Sequence, residues 1–342
     1  MNAQTGKEVI PTTVITGFLG SGKTTLLNAL LRHPELADTA VLVNEFGEVG
    51  IDNLLVETLD EDVVLLNAGC LCCTIRNDLV SSLAELYEKR ANGQVPAFKR
   101  VVIETTGLAD PAPILHTLLS HEHIRENFCV DGIVTTIDAV NGQHQLDEHI
   151  ESVKQAAVAD RLVITKTDLT VRQDVDALFT RLKSVNPGGR VLIAVSGDVS
   201  PDKLLDTGLY SLENKHPDVA TWLSETAQSN HGSTHEHDVS RHDDRIRSFS
   251  LEARAPIKVH RFVAWVERLL ETEGDKLLRL KGILNVEGSD VPIVVHGVQH
   301  VFHPLTTLSR WPDGDRRSRL VLIAKDLDPE PVERAFAREV LD

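Results

Sequence analysis

The residues best suited by type and spacing to do chemistry form a glycine-rich segment near the start of the chain. It is Gly17-Phe18-Leu19-Gly20-Ser21-Gly22-Lys23-Thr24-Thr25, which matches the pattern G-x-x-x-x-G-K-[ST]. Glycines let the backbone wrap closely around an anion, and the N–H groups of such a loop and of the helix after it favour negative charge. We therefore expect this P-loop to bind the phosphates of a nucleotide. Its proposed binding residues are Gly17, Gly20, Ser21, Gly22, Lys23, Thr24 and Thr25, with Lys23 on the β- and γ-phosphates and the Thr24 hydroxyl on Mg²⁺.

A second candidate is an acidic residue at the end of an apolar strand. Val101-Val102-Ile103-Glu104-Thr105-Thr106-Gly107 has the layout of a Walker B segment followed by a switch. Glu104 would bind the Mg²⁺ shell through water, and the backbone N–H of Gly107 would contact the γ-phosphate. We take Lys23 and Glu104 as the candidate catalytic residues. The residue that activates the attacking water stays open, with Glu48 and Asp52 as candidates.

The third candidate, Thr165-Lys166-Thr167-Asp168, would select the base of the nucleotide. A carboxylate at Asp168 can accept two hydrogen bonds from guanine, while the stem of Lys166 packs on the ring. Adenine lacks these donors, and a site built for such bonds rejects an analogue without them by roughly 10⁴-fold or more. The tetrapeptide therefore favours GTP over ATP. The usual GTPase sequence has Asn where this chain has Thr165, which shortens one polar contact.

Three of the four cysteines lie in Cys70-Leu71-Cys72-Cys73. Thiolates at positions i and i+2 can share an ion such as Zn²⁺, Cu⁺ or Co²⁺. The alternatives are transient redox chemistry and reduced cysteines buried as small apolar residues. Three thiolates are too few for a closed tetrahedral site, so we expect a further ligand, and Glu48 is the candidate.

These residues need a scaffold, and the pattern of the chain predicts one. Short apolar, β-branched runs at 13–16, 40–43, 63–66, 100–103, 132–137, 162–165 and 191–195 alternate with helical patterns that include 78–90, 145–159 and 174–184. Such alternation is typical of an α/β fold with a mostly parallel sheet and helices on both faces, in which ligands bind at the carboxyl ends of the strands. The candidate residues follow those ends.

The pattern divides the chain into a P-loop domain at 1–205, a linker at 206–245 and a smaller α+β domain at 246–342. The linker carries His231, His235, His237 and His242, which are as consistent with a solvated tether as with metal capture. In the last domain we expect strands at 246–253, 280–286, 293–302 and 319–323, a helix at 259–270 and a closing helix from Asp328-Pro329. On a regular strand His296 and His300 share a face, and we expect them to be half-exposed.

Bulk composition excludes several classes of partner. With 51 acidic and 35 basic side chains, the net charge is -16 over 342 residues. Without a dense basic patch, nucleic acid and anionic membranes are not expected partners. We see no apolar run long enough to span a bilayer and no signal-peptide core, so a cytoplasmic location is expected. In that reducing compartment the cysteines would not form a disulfide framework.

Taken together, GFLGSGKTT, VNEFGEVGID, NAGCLCC, VVIETTGLADP, DGIVTTIDA and TKTD resemble the CobW-like family of P-loop GTPases, the CobW/HypB/UreG class. The similarity is greatest to its YjiA-type branch and continues into the C-terminal part through GDKLLRLKG at 274–282. The resemblance implies GTP hydrolysis coupled to metal binding, with Cys70, Cys72, Cys73 and Glu48 as metal-linked residues and zinc as the metal most often assigned. Some relatives have a Glu where this chain has Val43, so a metal arrangement that needs that Glu does not transfer.

We therefore expect a metal chaperone that uses GTP, Mg²⁺ and Zn²⁺, with Co²⁺ as a lesser candidate, and that serves a client metalloprotein. A homo-oligomer is possible. The alternatives are a metal-independent GTPase switch that binds a partner protein, a cobalt-handling factor for cobalamin synthesis, a metal buffer indifferent to nucleotide, and a small-molecule kinase. Thr165-Lys166-Thr167-Asp168 and Glu104 argue against the kinase.

Overall fold

A seven-stranded, wholly parallel sheet forms the N-terminal part of the protein. The computed structural model describes residues 9–44, 64–68, 75–205, 245–312 and 314–341. The strands are β1 (Ile10–Gly17), β2 (Thr39–Asn44), β3 (Val64–Ala68), β4 (Arg100–Glu104), β5 (Phe128–Asp138), β6 (Arg161–Thr165) and β7 (Arg190–Ile193). Their order in the sheet is β3-β2-β4-β1-β5-β6-β7. The central strands are buried on both faces, which is why their sequences are continuous apolar runs.

Helices cover both faces of this sheet. They are α1 (Lys23–Leu31), α2 (Ile75–Ala91), α3 (Ala112–Ser120), α4 (Glu122–Arg125), α5 (Gly142–Glu148), α6 (Ile150–Val158), α7 (Arg172–Val185) and α8 (Pro201–Leu204), with short 3₁₀ turns at Pro34–Leu36 and Thr167–Leu169. Two apolar clusters pack on opposite faces, one around α2 and α3 and one around α1. The predicted α/β architecture is confirmed.

One helix prediction is wrong. The pattern at 145–159 predicts one helix, but the structure has two, α5 and α6, separated at His149. There the backbone is extended, with φ -122° and ψ 110°, and the His149 ring stacks on Phe18 at a centroid distance of 4.6 Å. Buried Leu146 and Val153 keep the helical spacing across the break, so periodicity does not reveal it.

The C-terminal part contains a second, antiparallel sheet. Its strands are β8 (Ile246–Ala253), β9 (Leu277–Leu284), β10 (Ile293–Val298), β11 (Val301–Phe302), β12 (Thr306–Thr307) and β13 (Ser318–Lys325). Their order is β11-β10-β9-β13-β8, with β12 paired to β10. Helices α9 (Val259–Glu273) and α10 (Pro329–Phe336) pack on one face around Trp265, and a π-helical turn, Ala337–Leu341, follows. The predicted smaller α+β unit is confirmed.

In this unit the start of the closing helix is as predicted, whereas one predicted strand is a different kind of element. The α10 helix begins as predicted, because the Asp328 side chain accepts a hydrogen bond from the Glu330 N–H at 3.2 Å. The predicted strand at 293–302, however, is the hairpin β10–β11 with a turn at Gln299 and His300. His296 is therefore buried in the sheet, at 8% exposure, and only His300 is exposed enough to fit the half-exposed prediction.

The two sheets are joined through a buried ionic cluster. Asp160, at the start of β6, pairs with Arg279 and with Lys281 of β9, the latter at 2.8 Å, and also accepts a hydrogen bond from the Ile133 N–H at 2.9 Å. Burial opposes ionisation of Asp160, but the two cations outweigh it and hold its pKa well below its ordinary value. Burial and then Arg279 lower the pKa of Lys281 to about 8.

Among the helices that the structure describes, none combines the length and apolar composition that crossing a membrane requires.

Candidate functional site

The P-loop follows β1 at the carboxyl edge of the parallel sheet. Gly17, Gly20 and Gly22 have φ values of 145°, 69° and 91°, which residues other than glycine rarely adopt. Gly22 precedes the first turn of α1, so the loop passes directly into a helix N-terminus. The backbone therefore has the form that an anion-binding loop needs.

Lys23 begins α1 and extends back over this loop. Its ammonium donates to the carbonyl oxygens of Gly17 at 3.0 Å and Phe18 at 3.2 Å. Neutral carbonyls are weaker partners for an ammonium than phosphate oxygens are. A phosphate bound in the loop would therefore compete well for Lys23.

Thr24 and Glu104, chosen from two separate motifs, meet in space. The Thr24 hydroxyl donates to Glu104 Oε1 at 2.7 Å. They meet because β1 and β4 are neighbours, with Ile15 opposite Glu104 in register. Glu104 is 4% exposed, so its carboxylate lies at the floor of the site. Two hard oxygen groups at this spacing fit the ligand preference of Mg²⁺.

The loop after β4 approaches the P-loop closely. A Cβ on Gly107 would lie 2.7 Å from the backbone nitrogen of Leu19, so no larger residue fits without displacing the loop. On its other side, the buried side-chain amide of Gln155 donates to the carbonyl oxygens of Gly107 at 3.1 Å and Ala109 at 3.0 Å. Gly107 is thus held beside the position where the phosphates would lie.

The predicted base-selecting residues follow β6 at the same edge. The Thr165 hydroxyl donates to the Ser21 carbonyl at 2.7 Å, so the shorter side chain still connects this loop to the P-loop. Lys166 has φ 57°, and its ammonium donates to Asp138 Oδ2 at 2.8 Å. Asp168 is exposed. Its carboxylate is accessible to a base.

Two features of this edge were missed by sequence reasoning. Asp138 ends β5 and orients Lys166. Burial opposes its ionisation, but the hydrogen bond from Lys166 keeps its pKa below the ordinary value. Ser196 and Gly197 follow β7 with φ values of 53° and 82°, and a Cβ on Gly197 would lie 2.9 Å from the Thr25 carbonyl. The sequence does contain a signal for each feature, because an acidic residue and a Ser-Gly pair directly follow two of the predicted apolar strands.

The predicted metal ligands lie outside the described residues, because 45–63 and 69–74 contain Glu48, Asp52 and all three motif cysteines. The chain positions that lead to them are described. Asn44 ends β2, Ala68 ends β3, and these two residues are partners in the parallel register. The segments with Glu48 and with Cys70 therefore start from adjacent strand ends.

The linker histidines also lie outside the described residues. Within the described part of the chain, no three His, Cys, Asp or Glu side chains are grouped closely enough to hold a metal ion. Cys129 is described, and burial followed by the charge of Asp131 raises its thiol pKa to about 11, which makes it a poor metal ligand.

Two family models match the chain. The CobW/HypB/UreG nucleotide-binding domain matches residues 11–193, and the cobalamin synthesis protein cobW C-terminal domain matches residues 246–340. The first match contains the P-loop, Glu104 and Asp168, and the second contains the antiparallel sheet.

Curated relatives cover nearly the whole chain. The zinc chaperone YjiA of Escherichia coli K12 is 33% identical over 328 residues, which is 96% of this chain and 98% of that protein. The zinc-regulated GTPase metalloprotein activator 1 of Schizosaccharomyces pombe is 30% identical over 353 residues, covering 93% and 83%. The crystal structure of Zn(II)-bound YjiA GTPase from E. coli aligns with a TM-score of 0.73 at 30% identity, covering 97% of this chain and 99% of that one.

Proposed function

Since this chain belongs to the CobW/HypB/UreG family of nucleotide-binding proteins, we propose that it is a GTP-hydrolysing metal chaperone. The observation that carries the nucleotide half of the proposal is the 2.7 Å hydrogen bond between Thr24 and Glu104, which unites two independent motifs beneath the P-loop. The metal half is supported by relatives along the full length that are named zinc chaperone and zinc-regulated activator.

In this proposal the P-loop binds the triphosphate. Backbone N–H groups from Gly17 to Thr25 surround the phosphate oxygens, and Lys23 exchanges the carbonyl oxygens of Gly17 and Phe18 for the β- and γ-phosphates. Its charge then offsets the negative charge that spreads over the γ-phosphoryl group in the transition state. Gly107 contacts the γ-phosphate through its backbone N–H, while its carbonyl oxygen accepts a hydrogen bond from Gln155.

Thr24 and Glu104 are the residues that would hold Mg²⁺, which would neutralise negative charge on the phosphates. The buried position of Glu104 keeps its carboxylate fixed beside the Thr24 hydroxyl. The activation of the attacking water is assigned to the segment 45–63, where Glu48 and Asp52 are the candidates.

Guanine would be selected by Asp168, with the Lys166 stem beneath the ring. Asp138 fixes Lys166 through a 2.8 Å ion pair and so reduces the freedom that base binding must remove. The Thr165–Ser21 hydrogen bond keeps this loop at a constant distance from the phosphate site. A base and a triphosphate are then bound by one connected surface.

The transition metal is cargo in this scheme, held by Cys70, Cys72 and Cys73 with Glu48 as a further ligand. Zinc is the leading metal and cobalt the lesser candidate, with a client metalloprotein as recipient in the cytoplasm. Both segments leave adjacent strand ends at the nucleotide edge of the sheet. Nucleotide and metal affinities would therefore be linked, each changing the other by the same factor.

The test is a Zn²⁺ titration of the full chain against a competing chelator under reducing conditions, with Mg²⁺–GTP analogue, Mg²⁺–GDP or no nucleotide. The parent should bind Zn²⁺ more tightly with the analogue by about 5- to 150-fold, the range of linked sites. Cys72→Ser should weaken Zn²⁺ binding and leave GTP binding intact. The matched control is Cys129→Ser, because Cys129 lies outside the motif and its raised pKa keeps it protonated.

The outcomes separate the alternatives. Equal Zn²⁺ affinity in all three nucleotide states would leave a passive metal binder or a separate GTPase switch. Zn²⁺ binding by Cys72→Ser equal to that of the parent would remove the motif from the proposal. A parallel titration with Co²⁺ distinguishes a zinc carrier from a cobalt-handling factor.

A further inference from the structure

The loop at 107–110, between β4 and α3, is held from both parts of the protein. Its first residue, Gly107, adjoins the P-loop. Its last, Asp110, caps α3 by accepting a hydrogen bond from the Ala112 N–H at 3.0 Å. The loop also accepts hydrogen bonds from two glutamines, Gln155 of α6 and Gln299 of the β10–β11 turn.

Gln155 holds the loop with both hydrogens of one amide group. Its nitrogen donates to Gly107 O and Ala109 O, and because both partners are carbonyls, only the NH₂ end of the side chain can face them. The side chain is fully buried, and its Oε1 accepts no hydrogen bond from the described residues. Within the described residues, the amide therefore holds the loop through its NH₂ group alone.

The helix that carries Gln155 is fixed at both ends. At its start, the His149 ring stacks on Phe18 of the P-loop at 4.6 Å. Directly after its end, Asp160 makes the buried ion pairs with Arg279 and Lys281 of β9. A displacement of α6 at the nucleotide edge must therefore be accommodated at the C-terminal sheet.

Gln299 provides the second connection. It occupies the β10–β11 turn with φ 50°, a conformation that costs free energy in a residue other than glycine and persists only when contacts enforce it. Its backbone N–H donates to Leu278 O at 3.1 Å, and its side chain donates to Asp110 Oδ2 at 2.8 Å. Lys154 of α6 lies 3.7 Å from the same carboxylate oxygen. Val298, beside the turn, packs in the apolar cluster of α2 and α3.

We propose that Gln155 and Gln299 are positioning residues that connect loop 107–110 to the C-terminal sheet. Through this connection the C-terminal sheet responds to the presence of a γ-phosphate. The same connection sets the preference of the protein for a nucleoside triphosphate over a diphosphate. The inference rests on the proposed binding of GTP at the P-loop. In that binding mode a γ-phosphate would contact Gly107, whereas the phosphates of a diphosphate would not extend to it. The two glutamines then transmit the difference through Asp110 and α6, and linkage makes the effect reciprocal.

The test measures dissociation constants of the full chain for a non-hydrolysable Mg²⁺–GTP analogue and for Mg²⁺–GDP. Gln155→Leu should weaken binding of the analogue by about tenfold and leave GDP binding nearly unchanged. A tenfold loss is what we expect from removing one to two neutral hydrogen bonds that hold the loop in its binding conformation. Gln155→Asn keeps the amide but has a shorter side chain, so it should also raise the ratio of the dissociation constant for the analogue to that for GDP. This variant provides the test if the leucine variant does not fold. Gln94→Leu, in an exposed turn, is the matched control.

A second readout isolates the connection to the C-terminal sheet. In the parent, amide hydrogen exchange in the β10–β11 hairpin should differ between the analogue and GDP, and Gln299→Leu should abolish that difference. An unchanged analogue-to-GDP ratio in both Gln155 variants, or hairpin exchange insensitive to nucleotide in the parent, would overturn the inference. If the parent binds neither nucleotide, the proposed function fails instead, so the two failures are distinguishable.

Discussion

Two clusters of charged side chains lie at opposite ends of the same parallel sheet, and they differ in the groups with which those side chains interact. At the carboxyl edge, Lys23 interacts with neutral carbonyls and Glu104 with a hydroxyl. At the other edge, Asp160 is paired with two full positive charges. A ligand can replace the weak partners of the first cluster but not the strong partners of the second. The first is therefore suited to binding, and the second to joining the two sheets.

The largest effect should come from Asp160→Asn, which tests the second cluster. It leaves Arg279 and Lys281 buried without a counter-charge, so the free energy of unfolding should fall by about 3–5 kcal/mol. Denaturant unfolding measures it. Asp176→Asn is the control, because Asp176 makes only an exposed pair with Arg172 at 3.6 Å and should cost about 0–1 kcal/mol. If both variants lost the same free energy of unfolding, the buried cluster around Asp160 would be no more important for stability than an exposed ion pair.

Lys23→Ala tests the first cluster and should change binding rather than stability. Two of the hydrogen bonds lost go to neutral carbonyls, so the unfolding midpoint should remain close to that of the parent, while GTP affinity falls by at least about a hundredfold with the loss of charge-assisted contacts to phosphate. Equilibrium nucleotide binding provides the measurement. Lys183→Ala is matched to it, because Lys183 also donates to a backbone carbonyl, that of Gly189 at 3.1 Å, away from the P-loop. If both variants bound GTP like the parent, Lys23 would have no role in binding.

A smaller effect concerns pH. The pKa of Lys281 is lowered from 10.5 to about 8 in the folded protein, by burial first and then by Arg279. Between those values the unfolded chain binds more protons, so stability should rise with pH through this window. The parent should gain about 1–3 kcal/mol in free energy of unfolding relative to Lys281→Met between pH 8 and about 10. A constant difference between the two proteins would show that Lys281 has an ordinary pKa.

The mostly parallel α/β sheet and the position of the P-loop after its first strand were predictable because their signals are local. Apolar, β-branched runs marked the strands, and the rule that ligands bind at strand carboxyl ends correctly brought Thr24 and Glu104 to one edge. The roles assigned to the individual site residues, like the domain limits at 1–205, 206–245 and 246–342, stay predictions.

The features that sequence could not supply depend on distant partners. The break at His149 accompanies stacking on Phe18, and burial of His296 depends on strand pairing with Lys281. Asp138 gains its role through Lys166, which directly follows the neighbouring strand β6. In each case the local pattern fitted a regular element, and a contact far along the chain determined the outcome.

The sheet order also has a consequence for biosynthesis. Among the described strands, β1 leaves the ribosome before the others and becomes the central strand of its sheet, and its neighbours β4 and β5 are made much later, since Ile15 pairs with Glu104 and Gly17 with Thr136. Such long-range pairing slows folding and leaves apolar strands exposed in the nascent chain. The P-loop is made before these neighbours but cannot take its final form until β5 has emerged. A ribosome stalled before that point would carry the whole phosphate-binding motif without a sheet to support it.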